Sequence, residues 1–209
     1  MVDYPPKTSV KNLPALLQDV TVLVVDPDLP IANIIKHVLN SLGFGNIIIR
    51  HSGAEAAEIF KSQTIDFIIT DFDMTTVDGE QSFVEFVRNS PESPNPSVPV
   101  IMLTGHTEQQ EVEMARDLGV SEIAAKPFTA KSLCDRIVRI IENPRSFIIT
   151  KRYTGPDRRR KTDGPPENSA DRRSGRKGSA KDRKSGTDSP KKTKSGFRIL
   201  ERWIGKKHE

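Results

Sequence analysis

Five short apolar runs recur at regular intervals through the first two thirds of this chain, and the stretches between them repeat at the helical period. The runs are Val22-Leu23-Val24-Val25, Ile47-Ile48-Ile49, Phe67-Ile68-Ile69, Val100-Ile101-Met102-Leu103 and Ile123-Ala124-Ala125. Between the first two, Ile31, Ile34, Ile35, Val38, Leu39 and Leu42 follow an i, i+3, i+4, i+7 pattern, with Gly43 as a stop signal. Further helical periods run through Ala54–Phe60, Phe83–Val87, Val112–Leu118 and Leu133–Ile141. Strands alternating with helices of this length imply βαβ units and a parallel sheet. Right-handed crossovers then place helices on both faces. The expected fold is a flavodoxin-like, doubly wound sheet of five parallel strands with five helices. Ser90 to Pro99, rich in proline and without periodicity, reads as an exposed loop before the fourth strand.

Four of the five runs end in reactive or charged residues: Asp26, then Asp71 and Asp73, then Thr104, then Lys126-Pro127. Ligands of open parallel sheets bind outside the carboxyl ends of the strands, so these residues should converge on one edge. A group of acids facing a lysine and a hydroxyl suits a divalent cation and a phosphoryl group.

In order and spacing, Val24-Val25-Asp26, Ile68-Ile69-Thr70-Asp71-Phe72-Asp73-Met74 with Asp78-Gly79, Met102-Leu103-Thr104-Gly105 and Lys126-Pro127-Phe128 resemble the receiver domain of two-component response regulators. The resemblance, to a CheY-like receiver, covers about residues 20–143. It implies that Asp71 is the phosphoacceptor and that Lys126 pairs with Asp71 at rest and with a phosphoryl oxygen afterwards. It implies a usually cis Lys126–Pro127 bond, and a switch in which Thr104 moves toward the phosphoryl group. Gly105 leaves room for the phosphodonor, and its amide with those of Phe72 and Asp73 is a candidate phosphoryl cradle. Asp26, Asp71 and Asp73 are the implied Mg²⁺ site.

This sequence departs from the family pattern at several points. Pro27 stands where receivers carry the second of two adjacent acids, which implies weakened Mg²⁺ affinity. Asp28 either replaces that carboxylate or caps the helix that starts with Leu29-Pro30; capping is the simpler reading. Thr75 replaces a usual proline, and Ile123 stands where many receivers carry a switch aromatic. Asp73 and His106 flank the expected path of the hydrolytic water. His37, His51 and His208 show no ligand spacing. No Walker A loop, dinucleotide fingerprint or nucleophile elbow occurs, so no enzymatic activity is expected.

Charge divides the chain: residues 1–150 carry 12 Lys/Arg against 20 Asp/Glu, whereas residues 151–209 carry 20 against 8. The basic part repeats Asp157-Arg158-Arg159-Arg160, Asp171-Arg172-Arg173 and Asp182-Arg183-Lys184 and holds too little apolar surface to order itself. The expected organisation is an extension over 1–19, with Leu13, Leu16 and Leu17 able to pack locally, and a receiver over 20–145. A disordered basic linker over 146–196 and a short amphipathic basic segment over 197–207, carrying Phe197, Leu200, Trp203 and Ile204, would follow. A single cysteine, Cys134, no transmembrane-length run and no signal-peptide pattern fit a cytoplasmic protein. The expected partners are a histidine kinase or histidine phosphotransfer protein and a downstream protein target. The alternatives are a pseudo-receiver that docks partners without phosphorylation, and a receiver that governs weak, non-specific binding of nucleic acid or membrane by the tail.

Overall fold

The computed structural model describes residues 17–74, 79, 81–105, 109–143, 145–150 and 153–158, and the backbone of 191–193. Five parallel strands, β1 (Thr21–Val25), β2 (Asn46–Arg50), β3 (Phe67–Asp71), β4 (Val100–Thr104) and β5 (Glu122–Ala125), form one sheet in the order β2-β1-β3-β4-β5. The helices between and after them are α1 (Leu29–Leu42), α2 (Gly53–Ser62), α3 (Phe83–Asn89), α4 (Gln109–Asp117) and α5 (Ala130–Glu142). The flavodoxin-like fold expected from the sequence is the fold observed.

Both faces of the sheet are buried, which is why its strands read as almost unbroken apolar runs. Alternate residues serve opposite layers. Val22, Val24, Phe67, Ile69, Ile101, Leu103 and Ala124 pack with Ile35, Leu39, Leu133 and Ile137 from α1 and α5. Leu23, Val25, Ile68, Val100 and Met102 pack with Ala56, Phe60, Phe83, Val87 and Ala115 from α2, α3 and α4.

Local chemistry starts each of four helices where the sequence places it. Asp28, Ser52, Ser82 and Thr129 cap α1, α2, α3 and α5 by accepting from Ile31 N, Glu55 N, Glu85 N and Ser132 N. Gly43, at φ 96°, ends α1 in the left-handed conformation that a side chain resists.

Two expected boundaries shift. Leu17, assigned to a loose extension, is buried in the α1–α5 layer, and Gln18 O accepts from Asn46 Nδ2 at 3.3 Å, tying the start of β1 to β2. Part of the expected disordered linker is also structured. Phe147–Ile149 (β6) and Thr154–Pro156 (β7) pair as an antiparallel hairpin, and the backbone of Lys191–Thr193 (β8) pairs with the other edge of β6. The hairpin lacks the apolar content to order alone. Its partners are distant in sequence: Phe147 is buried, and Arg88 Cζ lies 5.3 Å from the centroid of its ring. Leu13, Leu16, the rest of the basic linker and the segment 197–207 lie outside the described residues. No helix among the described residues is long and apolar enough to cross a membrane.

Ile69 is fully buried at the centre of the sheet. Ile69→Ala should therefore destabilise the fold by about 2–5 kcal/mol. Urea unfolding should show this as a lower midpoint with an unchanged slope.

Candidate functional site

The register of the sheet assembles the site. Val25 of β1 pairs with Thr70 of β3, so Asp26 and Asp71, each one residue further on, stand level at adjacent strand ends. β1 and β3 flank the point where chain progression reverses, and the crevice of a doubly wound sheet opens there. Asp71 pairs in register with Leu103, and Thr104 with Ala125. Thr104 and Lys126 therefore sit one step beyond their neighbours and close the far side.

Lys126 Nζ donates to Asp26 Oδ2 and to Asp71 Oδ2, each at 2.8 Å. The sequence reading placed Lys126 on Asp71; the structure adds Asp26, which is fully buried. The remaining carboxylate oxygens hold backbone donors: Asp26 Oδ1 accepts from Asp28 N at 2.9 Å, and Asp71 Oδ1 from Phe72 N at 2.6 Å. Burial weighs against the Lys126 ammonium, but hydrogen bonds and charge from Asp26 and Asp71 outweigh it and leave its pKa above the ordinary lysine value. With a raised folded-state pKa, the stability this contact contributes is complete below the unfolded pKa. It is lost only as pH climbs through the higher folded value. The bridge is therefore intact around neutrality.

The Lys126–Pro127 peptide bond is cis, and Lys126 N donates to Thr104 O at 2.7 Å, which joins the ends of β4 and β5. Thr104 is buried at the end of β4. Gly105 is exposed, and a Cβ there would meet none of the described residues within 4 Å. Ile123 is half-buried against the α2–α3–α4 layer.

One expectation changes at atomic detail, and the choice left open for Asp28 is decided. The amide of Phe72 is not available to a phosphoryl group, because it donates to Leu103 O at 2.9 Å as well as to Asp71 Oδ1. Asp28 does not replace the carboxylate missing at Pro27: its Oδ1 accepts from Ile31 N at 3.1 Å, so it is a helix cap. Asp73 is exposed, and its side chain makes no hydrogen bond or ion pair with the described residues. His51, to which the sequence gave no role, places Nδ1 3.0 Å from Asp26 O. No local signal announces that contact, which exists because Asp26 N donates to Arg50 O across the β1–β2 edge. Thr75, Asp78 and His106 lie outside the described residues.

The family model for the response regulator receiver domain matches residues 22–138. The chain belongs to that family. Among its relatives, chemotaxis protein CheY of Pseudomonas aeruginosa is 31% identical over 121 residues, which is 58% of this chain and 95% of that protein. Chemotaxis protein CheY-3 of Vibrio cholerae is 28% identical over 128 residues, 61% of this chain and 95% of that protein. Two solved structures superpose on 58–59% of the chain. A response regulator from Desulfuromonas acetoxidans does so with TM-score 0.53 and 27% identity over 97% of its length. CheY4 of Vibrio cholerae does so with TM-score 0.50 and 26% identity over 98% of its length. The family match stops at residue 138, before the hairpin.

For a receiver, the donor set bears directly on Mg²⁺. Asp26 and Asp71 offer two convergent carboxylates, and no group of three or more His, Cys, Asp and Glu side chains suited to a metal exists among the described residues. Two carboxylates fit a cation that keeps several of its waters and do not form a closed protein cage.

Asp28→Ala tests the capping assignment. Loss of the cap should cost about 1 kcal/mol of stability, read from chemical denaturation. Mg²⁺ affinity, followed by amide chemical shifts at Asp26 and Asp71, should not change.

Proposed function

We propose that this receiver is a phosphoacceptor whose reactive group is the Asp71 carboxylate, charged by a histidine kinase or histidine phosphotransfer protein and read out by a protein partner. The observation that carries the reading is the shared ammonium of Lys126, 2.8 Å from both Asp26 and Asp71 at the sheet's reversal point. A carboxylate is a competent nucleophile toward phosphorus when its charge is partly neutralised and the attack is in line. An Asp71 oxygen forms the new bond to phosphorus as the bond from phosphorus to the donor nitrogen breaks, and the product is an acyl phosphate.

Each neighbour has a defined part. Lys126 shifts its hydrogen bond from the Asp71 carboxylate to a phosphoryl oxygen and so follows the charge. Thr104, at the end of β4, presents its hydroxyl to a second oxygen. The Gly105 amide serves the third, while Phe72 holds the Asp71 carboxylate to the sheet. Asp26 and Asp71 would hold Mg²⁺ with the Asp73 carbonyl and water, and the ion supplies positive charge against the transferring group. Asp26 is fixed for this by the Asp28 amide.

Pro27 supports a second reading, in which partners dock without phosphorylation. Proline brings no carboxylate, and Asp28 is occupied as a cap. Adding beryllofluoride and Mg²⁺ to the full chain separates the two. Amide shifts at Asp71, Thr104 and Lys126 are expected in the wild type and should vanish in Asp71→Asn. A silent wild type at millimolar Mg²⁺ would establish the phosphorylation-independent role.

Pro27→Asp adds a hard oxygen ligand at the rim of the same site. Mg²⁺ should bind about tenfold or more tightly, since a further carboxylate at a divalent cation contributes on the order of 1–3 kcal/mol. Titration of the variant against the wild type at fixed ionic strength checks this.

A further inference from the structure

At the opposite end of the strands from Asp71, the hairpin β6–β7 sits on the junction between α4 and β5. Gly119, the turn residue there, has φ 80°, and a methyl on it would run into Thr154 O. The approach is mutual, because a Cβ on Gly155 would lie 2.7 Å from Gly119 Cα. Arg88, buried at the end of α3, donates through Nε to Gly119 O at 2.9 Å and through Nη1 to Pro96 O at 2.6 Å while facing the Phe147 ring. Burial lowers its pKa to about 9, so it stays cationic at neutral pH. Arg145 Nη2 donates to Ser121 O, just before β5. Arg158 Nη1 pairs with Asp117 Oδ1 at 2.8 Å, and its guanidinium lies 3.9 Å from the centroid of the Tyr153 ring. Asp117 is the last residue of α4. The hairpin thus grips α4 at its end, the turn after it and the entry to β5.

The same contacts reach the reactive end through one groove. A cavity of about 940 Å³ runs between α4, β5, α5 and the hairpin, lined by Thr104 and Ile123 as well as by Tyr153, Pro156 and Arg158. Its charges are already partly matched internally, Arg158 with Asp117 and Arg136 with Glu122 at 3.7 Å. The groove therefore does not itself point to an anionic ligand. Thr104 and Ile123 line it together with α4 and the hairpin, so a displacement of Thr104 toward a ligand on Asp71 would open space beside α4.

We propose that the β6–β7 hairpin is an intramolecular clip that holds α4 in its resting position and so opposes the response of Thr104 to a phosphoryl group on Asp71. The clip rests on Asp71 being the phosphoacceptor. A ligand shifts a conformational equilibrium only by its differential affinity for the two states, so a contact that favours the resting state must weaken ligand binding by the same factor. β8 adds a consequence. The chain leaves this small sheet after β7 and returns to it at Lys191–Thr193, so both ends of the basic linker are tied to the clip.

Two variants of the full chain release the clip without touching the site. Arg158→Glu replaces an exposed ion pair with a repulsion, and Gly155→Val drives a side chain into Gly119. Hydrogen exchange at α4 and hairpin amides should quicken in both. The midpoint for beryllofluoride at fixed Mg²⁺ should fall by about threefold in Arg158→Glu, in line with an exposed pair, and by more in Gly155→Val. Asp117→Arg combined with Arg158→Glu, a charge swap across an exposed contact, should return the midpoint toward wild type. Faster exchange with an unchanged midpoint would overturn the clip alone. Unchanged exchange would show that the hairpin does not hold α4, and would overturn it as well. No beryllofluoride response in the wild type or any variant would instead remove the phosphoacceptor reading, and the clip with it.

Discussion

The Lys126 ammonium is the group on which the carboxyl edge of the sheet depends. Asp26 is fully buried and Asp71 partly so at adjacent strand ends, and two carboxylates that close would repel without a cation between them. Lysine suits the position because its charge is compact and mobile on a long stem, whereas a guanidinium would fix both partners in one planar arrangement. The contact is firm at rest and can be transferred. In the proposed phosphoacceptor the ammonium would follow negative charge from a carboxylate to a phosphoryl oxygen without leaving the crevice.

The carboxylates are held just as deliberately from the backbone side. The amides of Asp28 and Phe72 each take one oxygen, leaving the other oxygen of each acid to Lys126. The Asp26-Pro27-Asp28 segment therefore orients Asp26 and starts α1, because the Asp28 carboxylate turns away to cap the helix. An acid at this strand end could serve a cation or start the helix, and in this chain helix initiation takes the acid that follows Pro27.

The sheet, its helices and the convergence of Asp26, Asp71 and Lys126 at one edge were legible in the sequence because local patterns encode them. Val22–Val25, Phe67–Ile69 and Val100–Leu103 are strands buried on both faces, so their composition alone marks them, and the helical periods between the strands mark the helices. What was not legible depends on pairing across the fold. That Lys126 bridges Asp26 as well as Asp71 follows from β1 lying beside β3, a fact of strand order. That Phe72 N is spent on Leu103 O follows from the β3–β4 register. The hairpin fell within a basic segment read as disordered for want of apolar surface, and Phe147, Ile148, Ile149 and Tyr153 are too few to order it by themselves. Their order comes from Arg88 and Gly119, some 60 and 30 residues away.

A receiver needs two conformations separated by only a few kcal/mol, and additions to the fold can set that difference. Here the addition lies at the far end of α4 from Asp71, where it cannot obstruct phosphotransfer, yet it contacts the helix whose other end follows Thr104. Gly119 and Gly155 make the contact intimate, because neither brings a side chain between the two backbones. Arg88 makes it polar as well as apolar, since one buried guanidinium satisfies two carbonyls and faces an aromatic ring. Such a junction resists small displacements and gives way as a unit. That behaviour makes a packed contact two-state rather than elastic, and it would let a strongly basic linker feel the state of a single acidic residue at the opposite edge of the sheet.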